Sequence, residues 1–325
     1  MPAPFHKCPT CSALLDEEDL FCGNCGTEAP RLHEVAGDGT AFTATHNFIC
    51  QGCGASMSYD ASAQNLRCPF CGSERLNEQP DDKILRPQAV VPFAISQHDA
   101  LARLRQWQGS SFWRPGDLAR TATVTSLTQV YLPFWSFAAD VETNWTADSS
   151  QTPPGARGDW VPLAGENRAS YRGLLIGASG TLTPAETHAL LPFDLSAAVP
   201  TDNVDLDNVV YERFRVQRRY ARPLAQAGLE ARERQACGKY VPGRCRNLRV
   251  NLRVQGLTSE PVLLPVWIMA YQYRERLFRF LVNGQTGQCT GAAPTSYSKI
   301  AVAVAIALTL ILAGALCAGL LSAFQ

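Results

Sequence analysis

Eight cysteines within the first 71 residues fall into four C-x2-C pairs. Cys8, Cys11, Cys22 and Cys25 are spaced C-x2-C-x10-C-x2-C, and Cys50, Cys53, Cys68 and Cys71 are spaced C-x2-C-x14-C-x2-C. Two intervening residues let one tight turn present both sulfurs to an ion about 2.3 Å away, and the longer gap suits a hairpin that returns with the second pair. The chemistry on offer is thiolate coordination of Zn2+, one ion per quartet. A redox C-x-x-C pair is the alternative, and four pairs in matched couples argue against it. Four thiolates leave no position open for water, so both ions are expected to be structural. His6 and His46 are read as surface residues, since each quartet already supplies four ligands.

Each quartet lies in a segment too small to bury a core, so metal binding must supply most of its folding free energy, roughly 10 to 16 kcal/mol. Two zinc ribbons are the expectation. Gly23, Gly26, Gly52, Gly54 and Gly72 lie inside or just after the pairs, where such turns favour glycine; Ser12 takes that place in the first pair. The zero net charge of the chain hides a polarity: residues 1–82 carry 4 Lys/Arg against 12 Asp/Glu, and residues 83–299 carry 25 against 17. With thiolate-bound zinc the acidic arm reaches roughly −12, which repels a nucleic-acid duplex and suits a basic protein surface.

The elements that follow are those of an α+β body rich in antiparallel strands. Ser96 and Asp99 open a helix over 97–108, with Leu101, Leu104 and Trp107 on one face. Residues 130–145 alternate as a strand, with Tyr131, Trp135, Phe137, Val141 and Trp145 on its inner face. A second strand is expected at 171–179, irregular chain at 190–207, a helix at 223–235, and a meander at 247–255, 262–273, 276–282 and 286–290. Asn283-Gly284 signals a tight turn within it. Residues 262–273 are apolar on both faces, so that strand should be covered, with Pro265 demanding a bulge or an edge. Leu132-Pro133-Phe134-Trp135 and Leu264-Pro265-Val266-Trp267 echo each other, each downstream of a helix, which suggests an internal duplication.

From Ile300 to Gln325 no residue is charged. As a helix, Ile300 to Phe324 would extend roughly 37 Å against a hydrocarbon core of about 30 Å, so a single transmembrane helix that ends the protein is expected. Thiolate zinc sites persist in reducing surroundings and no apolar signal precedes Cys8, which puts the N-terminal bulk in the cytoplasm. Lys299, the last charge before the apolar run, agrees. Gly314 and Ala318, four apart, would allow close helix pairing in a homodimer. The expected organisation is a ribbon at 1–30, a linker at 31–45, a second ribbon at 46–76, a linker at 77–90, the body at 91–293 and the membrane helix at 300–324.

Nothing in the body spells an enzyme. There is no phosphate-cradling G-x-x-x-x-G-K-[ST], no G-x-S-x-G and no H-E-x-x-H. His98 and His188 read as exposed, and Cys237, Cys245 and Cys289 as buried thiols more than as a third metal site. Residues 213–253 hold 12 Lys/Arg against Glu230 and Glu233. That run is either a solvated face, a surface for anionic lipid, or a seat for the acidic ribbons. A membrane-tethered regulator that binds nucleic acid through it is the alternative function.

Two N-terminal quartets, the strand YLPFWSFAADVETNW, the segment LLPVWIMAYQYRERLFRFLVNGQTG and the apolar C-terminal segment together resemble the bacterial TFIIB-type zinc-ribbon membrane proteins, sometimes labelled primosomal helicase-like. The missing phosphate loop contradicts that label. The resemblance implies attachment at the bacterial inner membrane together with flotillin-like (SPFH) or phage-shock-type proteins. The function expected is a non-enzymatic membrane-anchored adaptor with two structural Zn2+ ions, whose contacts are the lipid bilayer and protein partners.

Overall fold

The computed structural model describes residues 6–7, 14–15, 41–43, 47–58, 67–79, 83–85, 87–155, 158–204 and 209–323 of the 325-residue chain. Two exceptionally long strands, β5 (Thr123–Ser149) and β9 (Cys245–Tyr273), lie side by side and antiparallel, paired from Cys245 opposite Ser149 to Gln272 opposite Thr123 with three register shifts on the way. On its other edge β5 pairs antiparallel with β6 (Val161–Gly177), and beyond it, in parallel at Tyr131, with β8 (Tyr211–Glu212). The other edge of β9 pairs in parallel with β4 (Ala89–Val90) and then antiparallel with β10 (Arg276–Asn283), which is followed by β11 (Cys289–Gly291). β7 (Val199–Pro200) closes the sheet at β4. At the opposite end β8 pairs with β2 (Ser56–Ser58), which continues to β1 (Asn47–Cys50) and β3 (Leu76–Gln79), making one mixed sheet of eleven strands. Two small two-stranded pairings stand apart, His6–Lys7 with Leu14–Leu15 and Ala41–Thr43 with Lys83–Leu85.

Strand alternation sends successive side chains to opposite faces of this sheet. One face carries Trp135, Phe137, Ala139 and Val141 of β5 under helix α4 (Arg218–Gly238), whose Ala221, Ala225 and Leu229 are buried against them. The same face of β9 carries Trp267, Met269, Tyr271 and Tyr273 under helix α1 (Gln97–Gly109), through Ala100 and Leu104, and the short helix α2 (Leu118–Thr121). On the other face Leu132, Phe134, Leu264, Val266 and Ile268 form the largest core, covered by the cysteine-bearing strands and by Leu182, Leu190 and Phe193 around helix α3 (Pro184–Ala189). Helix α5 (Tyr297–Ala323) leaves the body at its C-terminal end.

Several contacts recur in the two halves of the body. Trp135 Nε1 donates to the Val216 carbonyl at 2.8 Å, and Trp267 Nε1 donates to the Ile95 carbonyl at 2.9 Å, each acceptor lying just before a helix. The Phe214 ring sits 5.4 Å from Trp135 and the Phe93 ring 5.4 Å from Trp267. Arg215 and Val216 donate N–H bonds to Ala178 O, whose own N–H donates to Pro133 O; Ala94 and Ile95 do the same to Gly284 O, whose N–H donates to Pro265 O. Leu132 faces Leu264 across the central pair, close to the local two-fold. The strand before α1 pairs with β9 and the strand before α4 pairs with β5, so each half lends its first strand to the other.

This arrangement explains the prolines. Pro265 stands where the neighbour of β9 changes from β4, paired at Leu263, to β10, paired from Val266. A missing N–H costs nothing at such a gap. Pro133 occupies the matching gap between β8 and β6. Three expectations are corrected. Residues 245–273 form one strand, carried past Gly256 by a register shift between Gln255 and Thr258. The segment 77–90, expected as a linker, contributes strands at 83–85 and 89–90 and the last residues of β3. Asn283-Gly284 begins a longer loop in which Asn283 N–H donates to Gln288 O at 2.7 Å, and the two-residue turn lies instead at Arg274-Glu275.

Candidate metal centre

The second cysteine quartet converges. The Sγ atoms of Cys50, Cys53, Cys68 and Cys71 all lie within 4.8 Å of one another. Cys50 and Cys71 are 3.5 Å apart, as are Cys53 and Cys68. A tetrahedron with metal–sulfur bonds of about 2.3 Å has edges of about 3.8 Å, so the set fits one soft tetrahedral ion. Its two halves are built alike. Gly54 N–H donates to Cys50 O and Gly72 N–H donates to Cys68 O, both at 2.8 Å, while Cys50 N–H reaches Ala55 O and Cys68 N–H reaches Ser73 O. Gly54 and Gly72 both have φ of +74°, the left-handed conformation each turn needs to bring its second sulfur round. Gly52 N–H donates to Cys50 Sγ at 3.3 Å.

Burial and nearby N–H groups pull the thiols in different directions. Burial pushes the Cys53 thiol up to about 11 and raises Cys68 further. Burial also acts on Cys50, but the N–H groups of Cys53 and Gly52 outweigh it and hold that thiol down to about 7. Four thiolates crowded together repel one another, and a divalent cation inverts this by favouring the charged form of all four. The residues that would hold Zn2+ are therefore these four, and among the described residues no other group of His, Cys, Asp or Glu is placed to do so.

The centre does not stand off from the body. Cys50 and Cys68 are each only 1% exposed and belong with Ala55, Met57 and Phe70 to the same core as Leu132 and Leu264. The junction is β8: Glu212 pairs with Met57 and Tyr211 with Ser58 on one side, and Tyr211 pairs with Tyr131 on the other. Glu212 is fully buried, with Oε1 accepting from Gly180 N–H at 3.0 Å and from the Thr181 hydroxyl at 2.7 Å. Burial raises its carboxyl above the ordinary value, against the pull of Ser179, Thr181 and Gly180. Sequence reasoning missed Glu212, whose only signal is an acid between Tyr211 and the arginines that follow.

Asn283, also fully buried, donates from Nδ2 to Leu190 O and Pro192 O and accepts at Oδ1 from the N–H groups of Gln285 and Thr286. It ties the β10 loop to the segment that covers the core.

The other candidate residues fall as follows. Cys8, Cys11, Cys22 and Cys25 lie outside the described residues, as does His46. Cys237 is buried beside Trp145, Cys245 is exposed at the start of β9, and Cys289 packs near α1, so these three form no metal group. His98 and His188 are exposed. The basic run at 213–253 is divided between two sides of the sheet. Leu252 and Val254 pack with α4, which leaves Arg249 and Arg253 of the same strand on the opposite, open face. There Arg246 pairs with Asp148 at 3.2 Å, and Arg253 lies opposite Glu142, which pairs with Arg168 at 3.5 Å. Helix α5 is long and apolar enough to cross a membrane, and none of its apolar stretch from Tyr297 to Gly314 is buried by the rest of the protein. At the base of α5 a cavity of about 190 Å³ is lined by residues that include Gln108, Ser111, Arg114 and Lys299.

The class these features define is a strand-rich α+β protein with a four-cysteine cluster and, among the described residues, one helix long and apolar enough to span a bilayer. The chain is similar to the uncharacterized protein YdjG of Bacillus subtilis (strain 168), with 24% identity over 315 residues that cover 78% of this chain and 92% of YdjG. No protein-family profile matches the chain, and no solved structure does.

Proposed function

We propose that the protein is a non-enzymatic, membrane-anchored zinc-ribbon adaptor that gathers partner proteins at the cytoplasmic face of a bacterial inner membrane. The reading is carried by one observation: a closed four-cysteine site shares its core with a body whose one unburied apolar helix can cross a bilayer. Four thiolate ligands would fill the coordination of Zn2+ and leave it no catalytic position. Cys50, Cys53, Cys68 and Cys71 would hold one ion, and Cys8, Cys11, Cys22 and Cys25 a second in an acidic N-terminal ribbon. The second site acts as a clasp, keeping β2 against β8 and thereby the ribbon against the body. The first ribbon is the part offered to a basic protein surface. We read the two halves of the body as copies of one helix-and-strand unit, and the partners as SPFH/flotillin-like or phage-shock-type proteins.

Purification of the full chain from detergent-solubilised membranes tests this, compared with Cys8→Ser and Cys50→Ser. Cys8→Ser should lose partners while the body stays folded, and Cys50→Ser should loosen the body itself. Partners retained in full by both variants would overturn ribbon docking.

A further inference from the structure

The geometry points to a second membrane contact: the loop Ser110–Gly116 is an interfacial foot whose Phe112 and Trp113 rings enter the headgroup region beside α5. This rests on the proposal that α5 spans the bilayer. Phe112 is 68% exposed and Trp113 49%, and their rings meet edge to face at 5.3 Å with no core to cover them. Large apolar rings at a loop tip are costly to hold in water, and aromatic side chains are favoured at the boundary between hydrocarbon and headgroups.

The loop is fastened to the helix at one level. Lys299 Nζ donates to Phe112 O at 3.0 Å and to Arg114 O at 2.9 Å, and Ser296 N–H donates to Trp113 O at 2.8 Å. Lys299 Nζ also lies 5.1 Å from the centre of the Phe112 ring. On the body side Arg114 stacks 3.7 Å over Trp107 and its Nη1 donates to Trp107 O, tying the loop to the end of α1. The foot therefore cannot move independently of the first turn of α5.

That turn's depth follows from charge and length. The 27 residues of α5 extend about 40 Å, some 10 Å more than a hydrocarbon core. Lys299 is the charged residue at its start, and a lysine ammonium stays at headgroup level. Tyr297, 80% exposed, stands in the same turn. Phe112 and Trp113, held at the height of Lys299, are placed at that boundary too. With two contacts in place of one, the body is fixed in tilt relative to the membrane and does not swing on a single helix.

The full-length protein, reconstituted into phosphatidylethanolamine and phosphatidylglycerol vesicles with bromine near the headgroup end of the acyl chains, gives the test. Trp113→Phe changes a half-exposed ring and keeps the fold, so the emission difference between wild type and variant isolates Trp113. We expect that difference to be blue-shifted and quenched by the brominated lipid, and the quenched component to be lost in Trp113→Phe. Protein that floats with the vesicles while the difference emission stays unquenched overturns the foot and leaves the anchor standing. Protein that does not float with the vesicles refutes the anchor, and the foot with it.

Discussion

Glu212→Gln should gain stability relative to the wild type as the pH rises. The carboxyl is fully buried in the strand that joins the metal centre to the body, its Oε1 takes two hydrogen bonds, and its Oε2 has none. Burial raises its folded pKa above the ordinary 4.5. Between the unfolded and folded values the folded chain keeps a proton that the unfolded chain has released. Stability therefore falls as pH increases through that window, by about 1.4 kcal/mol per pH unit, and is at its fullest below the unfolded value. Glutamine has the same shape and no proton to lose, so the variant lacks this slope. Within that window the gap between variant and wild type should widen steadily with pH, and above it the gap should level off. Thermal unfolding of the zinc-loaded protein in detergent, followed in steps upward from just above the ordinary glutamate value, measures it, and other titrating groups cancel in the difference. A gap that does not change with pH, or a glutamine variant that weakens relative to wild type toward alkaline pH, would refute the reasoning.

Three further outcomes follow from the packing. Cys50→Ser should lose one metal ion per chain and more than about 3 kcal/mol of body stability, because the ligand is also core, whereas Cys237→Ser should keep its full metal content; metal analysis and thermal unfolding read both. Trp135→Phe and Trp267→Phe each strip a carbonyl of its indole donor, so each should cost about 1 to 3 kcal/mol and the two should agree within about 1 kcal/mol. Gly284→Ala would put its Cβ 2.5 Å from Phe93 Cδ1 and 3.0 Å from Pro265 Cβ. It should cost about 1 to 3 kcal/mol by overpacking, against less than about 0.5 for Gly314→Ala, which has open space around it.

Some of this was legible in the sequence because the signals are local. The spacing of Cys50, Cys53, Cys68 and Cys71 encodes its own turn geometry. Ser96 and Asp99 do cap α1, with Ser96 Oγ accepting from Asp99 N–H at 3.1 Å. The repeated L-P-x-W does stand at equivalent places, since both motifs must end a strand pairing and offer an indole to the same kind of carbonyl. What remained hidden is non-local. Nothing near residue 89 says that it pairs with Val262, and nothing near Glu212 says that the strand at 56–58 lies beside it. A cysteine cluster that looks self-contained in sequence therefore proves to share a core with strands two hundred residues away. The basic run misled for a related reason: consecutive arginines read as one surface, but a helix and then a strand send them to opposite sides of a sheet. Strand length was underestimated too, because Gly256 and Pro261 look like breaks and are absorbed by a bulge and by the central pairing.

The central claim is that one polypeptide unites a thiolate metal clasp with a helix that crosses the bilayer, and alkaline carbonate extraction of membranes from cells expressing the full chain tests it most directly. The account predicts that the protein stays in the membrane pellet after carbonate and carries zinc when then solubilised in detergent. Full-length protein released to the supernatant by carbonate, or retained in the pellet without metal, would contradict it.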